Sequence, residues 1–446
     1  MSNSTKLLIH KAEILLPNGE FLLGDVLIEH GKISQIAPSI DVDNNDGNTI
    51  LDASGLTLLP GVIDPQVHFR EPGLEYKEDL FTASCACAKG GVTSFLEMPN
   101  TIPLTTNQIN LNDKLSRANS KSLVNYGFFI GANGQNLEEL NTAEPVCGIK
   151  IFMGSMHGPL LVSQRESLEA IFAQGIRLIA VHAEDQARIE ERRKKYLANE
   201  KAEVSLHSLI QDEIAALNAT KLAIELANKY QRRLHILHLS TGIEAEFLRQ
   251  HKQKWITAEV TPQHLLLSSN SYAKLGSLAQ MNPPLRSFEN QDILWQALLD
   301  GVIDMIATDH APHTLEEKSK PYPNSPSGMP GVETSLPLML TQAKLGRCSV
   351  AQVASWMSIN VAKGYSIPNK GLIATGYDAD LVLVDLNNYH PVLKEELKTK
   401  CGWSSFEGWN LTGWPIYTIV NGSIVYAKGK LNTQTRGRAL EFTSNH

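Results

Sequence analysis

A chain of 446 residues, 42% hydrophobic and 20% charged, is long enough for one large domain with a smaller one attached. Its formal charge of −7 comes with no lysine and arginine stripe of the kind that tracks a nucleic-acid backbone; Arg192–Lys195 and Arg232–Arg233 fall in charge-mixed helical stretches that read as solvated faces. No apolar run reaches the roughly 20 residues that span a bilayer. Met1–His10 lacks a basic and then apolar leader. Cys85, Cys87, Cys147, Cys348 and Cys401 are odd in number and too scattered for a disulfide framework. These features lead us to expect a cytoplasmic protein in a reducing setting, with no nucleic-acid or membrane partner.

In chain order, the first elements are short β runs with turn signals: Leu7–Leu16, the turn Pro17-Asn18-Gly19, Phe21–Glu29, Gly31-Lys32, then the polar loop Asp41–Gly47. The far end has the same texture in Ala379–Asp385, Ile416–Asn421 and Ser423–Ala427. The reading is one small β domain assembled from both termini, residues 1–58 plus 370–446.

Between them, near-continuous apolar runs recur: Leu58–Ile63, Val92–Met98, Val124–Ile130, Gly148–Met153, Ile176–Val181, Arg233–Leu239, Trp255–Val260 and Val302–Ala307. Buried parallel strands read this way. Most are followed by a helical pattern, such as Leu209–Tyr230. The predicted fold class is α/β, a (β/α)8 TIM-type barrel over residues 59–369. An open doubly wound sheet binding a dinucleotide would carry a glycine-rich loop after its first strand, and none is present.

Barrel chemistry sits at the C-terminal strand ends. There the chain reads Asp64-Pro65-Gln66-Val67-His68-Phe69-Arg70, Met98-Pro99-Asn100-Thr101, His182-Ala183-Glu184-Asp185, His238-Leu239-Ser240, Thr261-Pro262-Gln263-His264 and Thr308-Asp309-His310-Ala311-Pro312-His313. A single histidine at such a place is ordinarily a packed side chain. His68, His182, His238 and Asp309 share one rim, and imidazole with carboxylate is a donor set for zinc. Lys150 lies within the fourth strand. Its ammonium would repel a metal, so it either pairs elsewhere or takes up carbon dioxide as a carbamate, an anionic oxygen ligand.

These segments, with Asn282-Pro283-Pro284-Leu285-Arg286, Gly328-Met329-Pro330-Gly331 and the trailing Lys370–Asp385, resemble the amidohydrolase superfamily and, within it, the dihydroorotases, over nearly the whole chain. The resemblance implies two zinc positions: one held by His182 and His238, the other by His68 and Asp309, with carbamylated Lys150 between them. It implies Arg70, Asn100, Asn282, His313 and Met329 at the substrate, and Asp309 as the proton-transferring catalytic group. The implied reaction is reversible hydrolysis of (S)-dihydroorotate to N-carbamoyl-L-aspartate in pyrimidine biosynthesis. Implied alternatives are another cyclic-amide hydrolase of the hydantoinase or allantoinase kind, or a non-catalytic subunit partnering aspartate carbamoyltransferase. A homodimer is a further expectation. The sequence departs from the pattern at Gln66, where the family has the first histidine of a His-x-His pair, and at Gln263, where it has one of two adjacent histidines. An amide oxygen is a weaker zinc donor than imidazole, so the expected content is one or two zinc ions per chain.

Overall fold

The computed structural model describes residues 6–41, 48–156, 158–198 and 202–443. Residues 1–5, residues 42–47 of the polar loop and His157 lie outside the described residues.

Eight parallel strands form the larger unit: β1 (Val62–Val67), β2 (Val92–Glu97), β3 (Asn125–Phe128, prolonged by Ile130–Gly131), β4 (Ile149–Phe152), β5 (Ile179–His182), β6 (Leu234–Ile236), β7 (Ile256–Val260) and β8 (Met305–Ile306). Each pairs with the next in parallel register, β3 to β4 through Ile130–Gly131. The circle closes where Val67 bridges His310 and the His68 N–H donates to the His310 carbonyl at 2.7 Å. This closure makes the predicted barrel and sets the chain after β1 beside the chain after β8.

The sequence reading ran the first barrel strand from Leu58, but the structure divides that run. Thr57–Pro60 belongs to the terminal β-sheet, and the barrel strand begins at Val62. Gly61 marks the break: a Cβ there would stand 2.3 Å from the Thr93 side chain, so only glycine lets β1 start against β2. The predicted helix Leu209–Tyr230 also divides. Asp212 accepts a hydrogen bond from the Ala215 N–H and caps a helix over Glu213–Tyr230, while Leu206–Ile210 forms a separate short helix.

The two termini meet in a nine-stranded sheet. Leu381–Asp385 lies antiparallel to Thr57–Pro60 on one side and to Trp414–Val420 on the other. Alternation along this strand explains its uninterrupted apolar sequence. Leu381 and Leu383 enter the core of the terminal sheet, whereas Val382 and Val384 enter the barrel's core. Not all of 370–446 stays with that sheet. Val392, Cys401, Trp403, Phe406 and Leu411 pack over the barrel with Leu267, Met281, Leu285 and Met329. The Tyr126 N–H donates to the Arg438 carbonyl, and Leu440 packs with Ile63 and Leu96 against the barrel. Among the described residues no helix is long and apolar enough to cross a membrane.

Candidate active site

The C-terminal rim of the barrel opens into a cavity of about 180 Å³. Its wall carries eight of the residues singled out from the sequence: His68, Arg70, Asn100, His182, His238, Asn282, Asp309 and His313. Gln66, Phe152, Ser155, Met156, Ala311, Ser327 and Gly328 complete it. Two sequence-predicted residues stay off the wall. Lys150 is wholly buried in β4. Met329 is 1% exposed and packs in the apolar cluster with Met281 and Leu285, so its contribution is its carbonyl, which accepts the Ala311 N–H at 2.9 Å.

Four wall residues hold left-handed backbone without being glycine: Arg70 (φ 68°), Ser155 (φ 56°), His238 (φ 34°) and Asp309 (φ 47°). Each costs about 1–3 kcal/mol and persists only where neighbours enforce it. Buried carboxylates do so here. Glu97 accepts the Phe69 N–H at 3.1 Å, next to Arg70. Glu259 accepts the His238 N–H at 3.3 Å and faces His235 at 2.9 Å. Asp64 accepts from the Thr308 N–H at 3.1 Å and its hydroxyl at 2.5 Å, just before Asp309. Burial pushes the Asp64 carboxyl up to about 7, against the pull of those bonds.

The metal-type donors stand in two groups. In one, Asp309 Oδ1 accepts from Gln66 Nε2 at 3.0 Å and lies 3.2 Å from His68 Nε2; His68 Nδ1 is 2.7 Å from Asn100 Oδ1. In the other, His182 Nδ1 and His238 Nε2 are 2.9 Å apart, and His182 Nε2 is 2.8 Å from Glu184 Oε2. Among the described residues, no three His, Cys, Asp or Glu side chains close around one point. The donor chemistry nevertheless suits a cation. His182 gives its proton to Glu184 and so turns a lone pair toward His238. His238 Nδ1 and Gln66 Oε1 are buried without hydrogen-bond partners among the described residues. Burial holds His238 well below the usual imidazole range, in the neutral form that ligates.

The wall also carries a cation. Arg70 is 7% exposed, and its Nε donates to the Pro312 carbonyl at 3.0 Å; no carboxylate pairs with it among the described residues. Lys77 offers only protons to His313 Nδ1 at 3.1 Å, which places the imidazole proton on Nε2, where it donates to the Ser327 carbonyl at 3.0 Å. The Arg70 NH2 group, 3.2 Å from that same Nε2, then finds no lone pair there and keeps protons for a ligand. Asn282 Oδ1 accepts from His207 Nε2 at 2.9 Å, which fixes its amide.

Some residues on the wall or bonded to it went unassigned in the sequence reading. Glu184 sits two positions after His182, in a segment that was singled out for its histidine alone. Gly328 opens a motif that was noted without a reason for its glycine. Its φ is 144°, and a Cβ there would lie 2.4 Å from the Ala311 carbonyl oxygen.

Comparison with known proteins agrees with this architecture. Residues 57–425 match the amidohydrolase family. The chain belongs to that family. Similar proteins include the dihydroorotase of Methanosarcina acetivorans, 37% identical over 442 residues, covering 95% of this chain and 93% of that one. The dihydroorotase of Pyrococcus abyssi is 33% identical over 429 residues, covering 95% and 96%. Among solved structures, an L-hydantoinase (dihydropyrimidinase) from Arthrobacter aurescens superposes with a TM-score of 0.91 at 28% identity, covering 96% of this chain and 97% of that one. A dihydropyrimidinase from Brevibacillus agri gives 0.90 at 27%, covering 98% of each. The resemblance read from the motifs and the predicted fold class are both borne out. Amidohydrolases are generally metal-dependent hydrolases.

Proposed function

We propose that this amidohydrolase is a dihydroorotase, hydrolysing (S)-dihydroorotate reversibly to N-carbamoyl-L-aspartate. The observation that carries the substrate choice is Arg70: a buried guanidinium on the same cavity wall as the histidine and aspartate donors, without a carboxylate partner among the described residues. A guanidinium fork pairs with a carboxylate in a bidentate manner. Dihydroorotate carries such a carboxylate on its ring, and hydantoin and dihydrouracil do not.

A divalent ion such as zinc supplies Lewis acidity, lowering the pKa of water from 15.7 to about 7 and polarising an amide carbonyl. His182 and His238 would hold one ion. His68 and Asp309 would contribute to a second position, weakened because Gln66 stands where the family has histidine. Burial pulls the Lys150 ammonium down to about 7, and its Nζ has no hydrogen-bond partner among the described residues. The neutral amine, the form that condenses with carbon dioxide, is thus populated at neutral pH, which supports a carbamate at this position.

The chain's own groups do the rest. Arg70, with Asn100 and Asn282, orients the ring so that its amide carbonyl faces the donor side. Asp309 takes the proton from the attacking water and returns it to the departing ring nitrogen, acting as general base and then acid. Gln66 Nε2 and His68 Nε2 both lie at Asp309 Oδ1, which keeps that carboxylate oriented. Phe152 and Met156 supply apolar surface to the wall beside these groups.

The test is turnover of dihydroorotate, hydantoin and dihydrouracil by purified protein, with metal counted in the same sample. Selective turnover of dihydroorotate, lost on chelation and restored by zinc, is expected. Preference for the carboxylate-free rings would make the chain a hydantoinase-type enzyme, the reading favoured by its likeness to the solved hydantoinase structures. No turnover of any ring, with co-purification of an aspartate carbamoyltransferase, would make it a non-catalytic subunit.

A further inference from the structure

Lys318 ends the short helix Leu315–Lys318 that follows His313. It is 1% exposed, and no carboxylate pairs with it among the described residues. Its Nζ donates to three backbone carbonyls: Gln280 at 3.1 Å, Pro326 at 2.8 Å and Gly328 at 3.1 Å. Three acceptors call for three protons, which an ammonium has and a neutral amine lacks. Burial and then the charge of Arg70 pull Lys318 down to about 7.

The bonds tie together two segments that both reach the cavity. One runs through Gln280 to Asn282, the other through Pro326 to Gly328, and Ser327 and Gly328 stand on the wall. Gln280 adds a second tie, its Nε2 donating to the Ser325 carbonyl at 3.0 Å and to Ser327 Oγ at 3.1 Å. The Ser327 carbonyl thus held is the acceptor that fixes the His313 proton and leaves the Arg70 NH2 group free. Neither Lys318 nor Gln280 lines the cavity.

We propose that Lys318 is a positioning residue of the carboxylate subsite, clamping the Pro326–Gly328 wall so that His313 and Arg70 present their protons to the ring carboxylate. The inference rests on the dihydroorotase reading. It predicts an effect confined to ligands with that carboxylate, because the metal-type donors lie on other strands and do not touch the clamp.

The probes are orotate and uracil, unsaturated rings that differ only in the carboxylate. Orotate binding is measured by calorimetry and uracil binding by displacement of orotate. In Lys318→Met, orotate is expected to bind about tenfold more weakly, equivalent to about 1.4 kcal/mol, with uracil unchanged within about twofold. The KM for dihydroorotate should rise in step while kcat changes less than about twofold. Gln280→Ala removes the second tie and leaves the ammonium in place. It should shift orotate alone, by roughly two- to threefold, and it keeps the question answerable if Lys318→Met does not fold. Equal loss of orotate and uracil in the soluble variants, or loss of neither, overturns the proposal. If the unaltered protein binds orotate but does not turn over dihydroorotate, the enzyme reading falls, while the orotate and uracil ratio still decides the role of Lys318. If the unaltered protein binds neither ring, both fall.

Discussion

Replacing Lys114 by methionine isolates one buried charge. Lys114 and Glu97 are both 0% exposed, with Nζ 2.9 Å from Oε2, and Nζ also donates to the Met98 carbonyl at 3.1 Å. Glu97 Oε1 accepts the Phe69 N–H at 3.1 Å, between His68 and Arg70. Burial already pushes the Glu97 carboxyl above its ordinary 4.5, with Lys114 pulling it back down. Without Lys114, Glu97 must take up a proton to fold. In the variant its folded-state pKa stands above the unfolded value, so the unfolded chain binds fewer protons and stability falls as pH rises past 4.5. At about 1.4 kcal/mol per pH unit, the cost is roughly 1.4 kcal/mol at pH 5.5 and about 4 kcal/mol at pH 7.5. The upper figure lies within the roughly 3–5 kcal/mol typical of a broken buried pair. The assay is denaturant unfolding of the parent, Lys114→Met and Lys114→Met/Glu97→Gln at both pH values. The single variant should lose about 2.7 kcal/mol more at the higher pH, and the double variant should lose that excess. A deficit independent of pH, or one that persists in the double variant, refutes the reasoning.

Arg70→Met should lower kcat/KM for dihydroorotate by about 10²–10³, from the roughly 2–5 kcal/mol lost when one partner of a buried charge pair is removed; an equal loss on carboxylate-free rings would contradict its assigned role. Gln66→His restores the imidazole and should raise the zinc content measured by elemental analysis toward two per chain; an unchanged count would show that Gln66 does not limit the metal centre. His207 and His264 are each pulled down to about 4 by burial. They fold neutral, so their contribution is complete above pH 6.5 and is lost as pH falls toward 4, up to about 3 kcal/mol each. Thermal midpoints should drop across that window, and His264→Gln should flatten the drop.

The barrel was legible because a buried parallel strand is apolar on both faces and so cannot be mistaken for an alternating surface strand. Its site was legible because barrel chemistry gathers at strand ends, where His68, His182, His238 and Asp309 each close a run. The terminal β unit was legible as texture, but Leu58–Pro60 was given to the barrel, since an apolar run does not say which sheet it joins and the steric reason for the break lies at Thr93. Likewise, the excursion through Trp403 covers the barrel, where its indole N–H donates to the His313 carbonyl at 2.8 Å, a contact 90 residues apart in sequence.

Residue type and spacing therefore determined the fold class and the kinds of chemical group at the rim, because hydrophobic periodicity and ligand chemistry are local properties. Only the tertiary structure decided which groups are paired and which are left over. That Gln66 bonds Asp309, that Met329 packs off the cavity wall, that Lys318 is held by carbonyls from two segments and that Arg70 has no carboxylate partner among the described residues all depend on contacts between residues far apart in the chain. Burial then sets the cost of each unmet charge, and that cost follows from packing, which no stretch of sequence carries by itself.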